Sequence, residues 1–281
     1  MSVDSNEIRA IQRKADELRL MALETALCGK KGHLPPAFSW AEIAASLFYG
    51  NVLRLRPDQP NWIGRDRFIL SKGHACLTLY AILADLGFIS KDELKHFAGH
   101  GALLPGHPDT EIPGIEACSG SLGHGLGLGA GMAFAGRLDQ AKWRVFVVLG
   151  DAECNEGSIW EAAMFAGHQK LHNLIAIVDR NRLGATDFTD NYLTLEPLVE
   201  RFRTFGWDAV AVDGHNLSIL IDTLLEARNR LEGKPIALIA NTVKGKGVSF
   251  MENSSQWHHR MPKGEEVAEA RRLLAERINA I

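Results

Sequence analysis

Apolar positions recur at helical spacing near the start of the chain. Ile8, Ile11, Ala15, Leu18 and Met21–Ala22 mark one face of a helix over residues 6–28. The segment GKKGHLPPAFS that follows predicts a loop from its glycines and prolines. Residues 40–53 read as a second helix with Ser39 as its N-cap, and residues 71–86 as a third after the short apolar run 68–70. Seven glycines and three prolines between positions 99 and 125 predict an extended loop. A helix packed with Gly and Ala is expected next, over 126–138.

The pattern then changes period. Residues 144–149 (RVFVVL) and 174–178 (LIAIV) are short, continuous apolar runs rich in β-branched side chains, with a helical stretch 158–170 between them. Strand, loop, helix and strand in so short a span predict a parallel βαβ unit. Further strands are expected at 209–212 and 236–240, separated by a helix over 217–232, and a last helix covers 265–281. The fold class is therefore α/β, a parallel sheet with helices on both faces. No linker, repeat or low-complexity segment divides the chain, so one domain over 1–281 is the expected count.

Composition narrows the function classes. The chain has 281 residues, 46% of them apolar and 23% charged, enough to bury a large core. A net charge of −3 argues against a nucleic-acid surface or a polybasic membrane patch. The four cysteines, at 28, 76, 118 and 154, form no CxxC pair, so neither a zinc knuckle nor a disulfide framework is indicated. The N-terminus is polar and acidic before it turns amphipathic, unlike a targeting segment. No run reaches the about 18 apolar residues of a membrane helix. These features predict a cytoplasmic protein with no membrane or nucleic-acid partner.

Ligands of open α/β sheets bind beyond the carboxyl ends of the strands. The residues there are GDAECNEG, starting at Gly150, and DRNRLG, starting at Asp179. Adjacent strands would bring Asp151 and Asn181 together across 30 residues of sequence. A carboxylate and an amide oxygen are hard ligands suited to Mg2+ or Ca2+, which complete their shells with water and phosphate oxygens. An Asp after a strand also serves as a helix N-cap, and an Asn in a turn as a left-handed residue. Spacing alone leaves both readings open.

The stretch GDAECNEGSIWEAAMFAGHQKLHNLIAIVDRN resembles the thiamine-diphosphate motif, which runs from Gly-Asp-Gly through Glu-Gly to a later Asn. RDRFILSKGHA at 65–75, LPGHP at 104–108, SGSLGHG at 119–125, TVKGKG at 242–247 and WHHRMP at 257–262 are similar, in the same order, to the segments of transketolases. The resemblance covers roughly residues 33 to 262. It implies the thiamine-diphosphate-binding fold and, in particular, its diphosphate-binding domain. By this resemblance Asp151 and Asn181 ligate Mg2+ (or Ca2+) through side chains and Leu183 through its carbonyl, and the amide of Ala152 faces the diphosphate. His74 bonds the diphosphate, and Gly120, Ser121 and Leu122 line the two rings of the cofactor. Lys244 approaches the cofactor as a cation, and Glu156 stands at the subunit interface. His33, His107 and His258 surround the reacting carbons of the donor sugar, with His259 a rival to His258.

Departures from the family pattern are local. Ala152 stands where Gly is usual, and GHLPPAFS replaces a glycine-rich loop after His33. Asp-Arg precedes Asn181 where Asp-Asn is common, so Arg180 is expected to be structural. The family's pyrimidine-binding domain, which supplies an activating glutamate, has no counterpart here. The expectation is the N-terminal subunit of a split transketolase that moves a two-carbon ketol unit from a ketose to an aldose. It would work with a C-terminal transketolase subunit in an α2β2 heterotetramer. The alternatives are a subunit of another thiamine-diphosphate enzyme (a 2-oxo acid dehydrogenase alpha subunit, or a relative of deoxyxylulose-phosphate synthase) and a non-catalytic paralogue. The GxGxxG spacing within SGSLGHGLGLGAG follows no convincing strand, which weakens a Rossmann oxidoreductase reading.

Overall fold

The computed structural model describes residues 4–281. Five parallel strands, β1 (Arg67–Leu70), β2 (Val145–Gly150), β3 (Leu174–Arg180), β4 (Asp208–Asp213) and β5 (Ile236–Asn241), form one sheet in the order β1-β2-β3-β5-β4. β2 and β3 are neighbours in the register Val145↔Leu174 to Gly150↔Asp179, so the segments after both strands leave the sheet side by side. The expected βαβ unit and both further strands are present, each strand within a residue or two of its expected ends.

Side chains of β2 alternate between two cores. Phe146 and Val148 point into a layer built from α1 (Ser5–Gly29), α2 (Leu34–Ser39), α3 (Ala41–Tyr49), α4 (Cys76–Leu86), α9 (Leu217–Asn229) and α10 (Glu265–Asn279). Val145, Val147 and Leu149 point into the opposite layer, of α5 (Gly125–Leu138), α6 (Gly157–His168) and α8 (Leu198–Thr204). Both faces of the sheet are covered at β2, which explains why Val145–Leu149 is apolar throughout rather than alternating. The short α7 (Thr189–Tyr192) precedes α8.

Three local expectations are corrected. The GKKGHLPPAFS segment is not all loop: α2 spans its second half, with prolines in its first turn, where the missing amide hydrogen costs nothing. Ser39 does not cap α3. It ends α2, Trp40 takes the cap position, and the Ser39 hydroxyl goes to Asp179 instead. Residues 71–75 are a bend and a 3-10 turn, and α4 starts only at Cys76.

A buried ionic network holds α1 to α3. Arg19 pairs with Asp16 at 2.7 Å and with Glu42, and donates to the Phe38 carbonyl. Burial alone would raise the Glu42 carboxyl, but Arg19 beside it, together with His215, holds it well below the usual carboxylate range. His215 Nε2 accepts the Val243 amide at 2.9 Å, which leaves Nδ1–H to face Glu42 at 3.0 Å. The chain after β5 is thereby tied to α3.

Packing is closest where α6 ends. A Cβ on Gly167 would lie 1.8 Å from the Phe205 carbonyl oxygen, a backbone atom that cannot swing aside. Gly131, on the outer face of α5, meets nothing within 4 Å. Gly167→Ala is expected to lower the unfolding free energy by about 1–3 kcal/mol through overpacking. In the isolated chain, Gly131→Ala is expected to raise it by about 0.5–1 kcal/mol, the helical cost of glycine. Denaturant titration of both variants checks this, and equal midpoints would contradict the packing at Gly167.

Candidate functional site

The carboxyl ends of β1, β2, β3 and β5 converge on one cavity of about 220 Å³. Its lining includes His33, His74, Gly120, Leu122, Asp151, Ala152, Asn181, Leu183, Lys244 and His258. Ten of the residues expected from sequence are therefore together. His107 stands just behind them: its ring centroid is 6.3 Å from that of His33, and its side chain packs on Gly120. Ser121 is exposed beside the cavity, and Glu156 is exposed at the start of α6 against Gly123. Those two do not line it.

Gly120 carries φ +128°, and a Cβ there would sit 2.5 Å from His107 Cδ2. Only glycine lets the loop pass the imidazole in this backbone conformation.

Asp151 is buried at the start of a 3-10 turn, Ala152–Asn155. Its Oδ1 accepts the Ala152 amide at 2.8 Å and its Oδ2 the Arg182 amide. The N-cap role and the expected ligand position thus fall on the same carboxylate. Burial, with Asp179 nearby, pushes this carboxyl up to about 6. Asn181 Oδ1 accepts the Leu183 amide at 3.1 Å, and the left-handed residue of the turn is the next one, Arg182 at φ 61°. The Lys244 ammonium donates to the Leu183 carbonyl at 2.8 Å and to the Gly184 carbonyl at 2.7 Å. A cationic group thus already rests on an oxygen assigned to the metal, and the carboxylate, amide and carbonyl make an all-oxygen donor set for a hard divalent ion. Burial and Lys72 bring Lys244 down to about 7, against the opposing pull of Asp151 and Asp179.

The imidazoles form a second tier. Ring centroids lie 5.4 Å apart for His33 and His74, 5.3 Å for His33 and His258, and 5.6 Å for His74 and His258. Burial lowers His33 to about 4, helped by His259, His107 and Lys244. Burial and Lys244 lower His258 to about 3. His74 falls well below its ordinary value, through burial and then Lys72, and His107 falls through burial. At neutral pH these rings are uncharged, each offering one donor and one acceptor.

Sequence reading missed the polar residues that hold this arrangement. Lys72 and Asp179 form a buried ion pair at the ends of β1 and β3, joined by hydroxyls of Ser39 and Thr242. Glu153 accepts from the Ser71 hydroxyl and from the amides of Gly123 at 3.0 Å and Gly150 at 2.9 Å. It thereby gathers the loop before α5 and the ends of β1 and β2. Their only sequence signal is position: Lys72, Glu153, Asp179 and Thr242 each lie within a few residues of a strand's last apolar residue, and Ser39 ends α2. Arg180 bonds Glu196 and Asn241, in keeping with its expected structural role.

Comparison with known proteins places this geometry. The family model described as "Transketolase, thiamine diphosphate binding domain" matches residues 10–277. The chain is 39% identical to one of the subunits of the apulose-4-phosphate transketolase of Phocaeicola vulgatus, over 98% of this chain and 97% of that protein. It is 38% identical to the 6-deoxy-6-sulfo-D-fructose transketolase subunit SqwG of a Clostridium species, over 89% of this chain and 90% of that one. The transketolase of Campylobacter jejuni superposes with a TM-score of 0.90 at 27% identity, covering 97% of this chain and 43% of that one. The chain spans 41% of the length of the mammalian transketolases it matches. In sequence and in fold, the chain belongs to the family of transketolase thiamine-diphosphate-binding domains.

Proposed function

We propose that this chain is the thiamine-diphosphate-binding subunit of a split, cytoplasmic transketolase, in which it holds the cofactor's diphosphate through Mg2+ and meets a second subunit over the exposed end of the cavity. One observation carries the reading: an all-oxygen set, Asp151, Asn181 and the Leu183 carbonyl, lies beneath a tier of neutral imidazoles in a single cavity. The two subunit-length relatives are named as transketolase subunits, which favours ketol transfer over a 2-oxo acid dehydrogenase.

Bound thiamine diphosphate supplies the electron sink for breaking and making a carbon–carbon bond. The chain's own residues would do the rest. Asp151, Asn181 and the Leu183 carbonyl hold Mg2+, and His74, the Ala152 amide and Lys244 take the diphosphate side. Gly120 and Leu122 form the wall against the rings, with Ser121 beside it at the exposed rim. His33, His107 and His258 orient a ketose by its hydroxyls, each neutral ring offering one donor and one acceptor. The relatives' names specify sugars carrying a phosphate and a sulfo group, so a ketose with a terminal anion is the proposed donor class.

The partner surface has a physical candidate. Leu128 and Leu138 of α5 and Met164 and Phe165 of α6 are between 42% and 67% exposed, and Phe134 packs on Phe165 at 5.7 Å. Gly127, Gly131 and Gly157 leave the backbone bare between them. Glu156 lies at the N-terminal end of α6. A two-fold α2β2 assembly would close two sites at once.

Asp151→Ala is expected to abolish Mg2+-dependent cofactor binding in the assembled enzyme, measured by fluorescence titration. Unchanged magnesium dependence would refute the ligand assignment. His107→Ala should reduce turnover at least about tenfold, from lost proton transfer or orientation, with little change in cofactor affinity. His74→Ala should weaken cofactor binding more than turnover at saturating cofactor, and equal effects on both constants in the two variants would overturn this division. The chain alone, with Mg2+ and cofactor in excess, should give no ketol transfer until a partner carrying the pyrimidine-binding domain is added. Phe165→Glu should weaken that association in sedimentation velocity while leaving the circular dichroism unchanged. Full activity from the isolated chain would rule out the split arrangement.

A further inference from the structure

We infer that His33, His258 and His259 form a binding site for a borderline transition-metal ion, with Zn2+ as the type case, distinct from the all-oxygen Mg2+ site deeper in the cavity. One ring nitrogen from each residue lies within 4.8 Å of the other two. The ring centroids are 4.5 Å apart for His33 and His259, 4.7 Å for His258 and His259, and 5.3 Å for His33 and His258. A tetrahedral ion about 2.0–2.1 Å from each nitrogen places three imidazole centroids roughly 5 Å apart. The rings already stand at that spacing, and the nitrogens need to close by roughly 1 Å.

A second observation points to a ligand. His258 is 9% exposed, and its Nδ1 is buried with no hydrogen-bond partner among the described residues. An unpaired buried polar atom is costly, and an ion held at Nδ1 would give that lone pair its partner. Lys244 opposes a cation here, since it depresses both His33 and His258. Its ammonium, however, is drawn to the carbonyls of Leu183 and Gly184, on the side of the oxygen site.

Ligand chemistry then sorts the ions. Three imidazoles with an open fourth position suit Zn2+, Co2+ or Ni2+, while carboxylate, amide and carbonyl oxygens suit Mg2+. Mg2+ in excess should therefore not displace the transition metal from the histidines. On the functional reading above, His33 and His258 also serve the donor sugar, so sugar and ion would exclude one another. Metal binding itself is independent of that reading.

Calorimetric titration of the purified chain with zinc chloride, in excess Mg2+, tests the site. One saturable ion per chain is expected. His259→Ala removes an exposed ligand and should weaken binding at least about tenfold. His168→Ala, an exposed imidazole on α6, should leave the affinity unchanged. Cobalt(II) substituted at the same site should show no sulfur-to-cobalt charge-transfer band, which separates it from ions held by the exposed thiols of Cys28 and Cys118. Absence of saturable binding, an unchanged affinity in His259→Ala, or a thiolate band would each overturn the assignment.

Discussion

The Lys72–Asp179 ion pair is the constraint on which the rest of the site depends. Both side chains are almost wholly buried at the carboxyl edge of the sheet. Burial alone would raise the Asp179 carboxyl, yet the Lys72 ammonium, with hydrogen bonds from Lys72, Ser39 and Thr242, keeps it below its ordinary value. The four groups come from the ends of β1, α2, β3 and β5, so one charged knot aligns three strand ends and the helix beside them. A buried pair gains little over apolar packing of the same volume, but breaking it by removing one member strands the other charge, a loss of about 3–5 kcal/mol. Its contribution here is to geometry: Asp151 and Asn181 sit on chain segments that this knot and Glu153 hold in place.

Charge is partitioned within the cavity. The positive groups, Lys72 and Lys244, stand at its floor with Asp151 and Asp179, and the imidazoles above them are stripped of charge by burial and by those same lysines. The arrangement gives a floor of balanced charge beneath a neutral hydrogen-bonding wall. On the proposed function, the charged floor would face the diphosphate, with Mg2+ between them, and the neutral wall a polyhydroxylated carbon chain.

Much of this was legible in the sequence, for identifiable reasons. The apolar runs at 144–149 and 174–178 could be placed because strands covered on both faces have no polar positions to blur them. Asp151 and Asn181 could be paired because parallel neighbours end level, as the Gly150↔Asp179 register bears out. The ordered motifs brought the histidines in. Lys72, Asp179, Ser39 and Glu153 stayed hidden because their roles come from contacts across 33 to 140 residues of sequence, which no local pattern encodes. The helix α2 was hidden for another reason: paired prolines suggest a break, but they sit in a first turn where no amide hydrogen bond is lost.

The register of β1 has a consequence for how the molecule is made. β1 pairs with β2 along Arg67↔Val145 to Leu70↔Val148, and the long crossover between them carries His74, His107 and the Gly120–Leu122 loop. Closing so long a connection is entropically slow, and parallel pairing gives little return until both strands are in place. One wall of the cavity is thus assembled only when that crossover closes, whereas Asp151 and Asn181 are brought side by side by the β2–β3 pairing and are then fixed by the contacts to Lys72 and Glu153. On the ribosome, the crossover emerges before β2 and has nothing to dock on until Val145–Gly150 follows it. The juxtaposition of Asp151 and Asn181 is therefore a product of local folding, and the wall carrying His74, His107 and the Gly120–Leu122 loop is a product of topology.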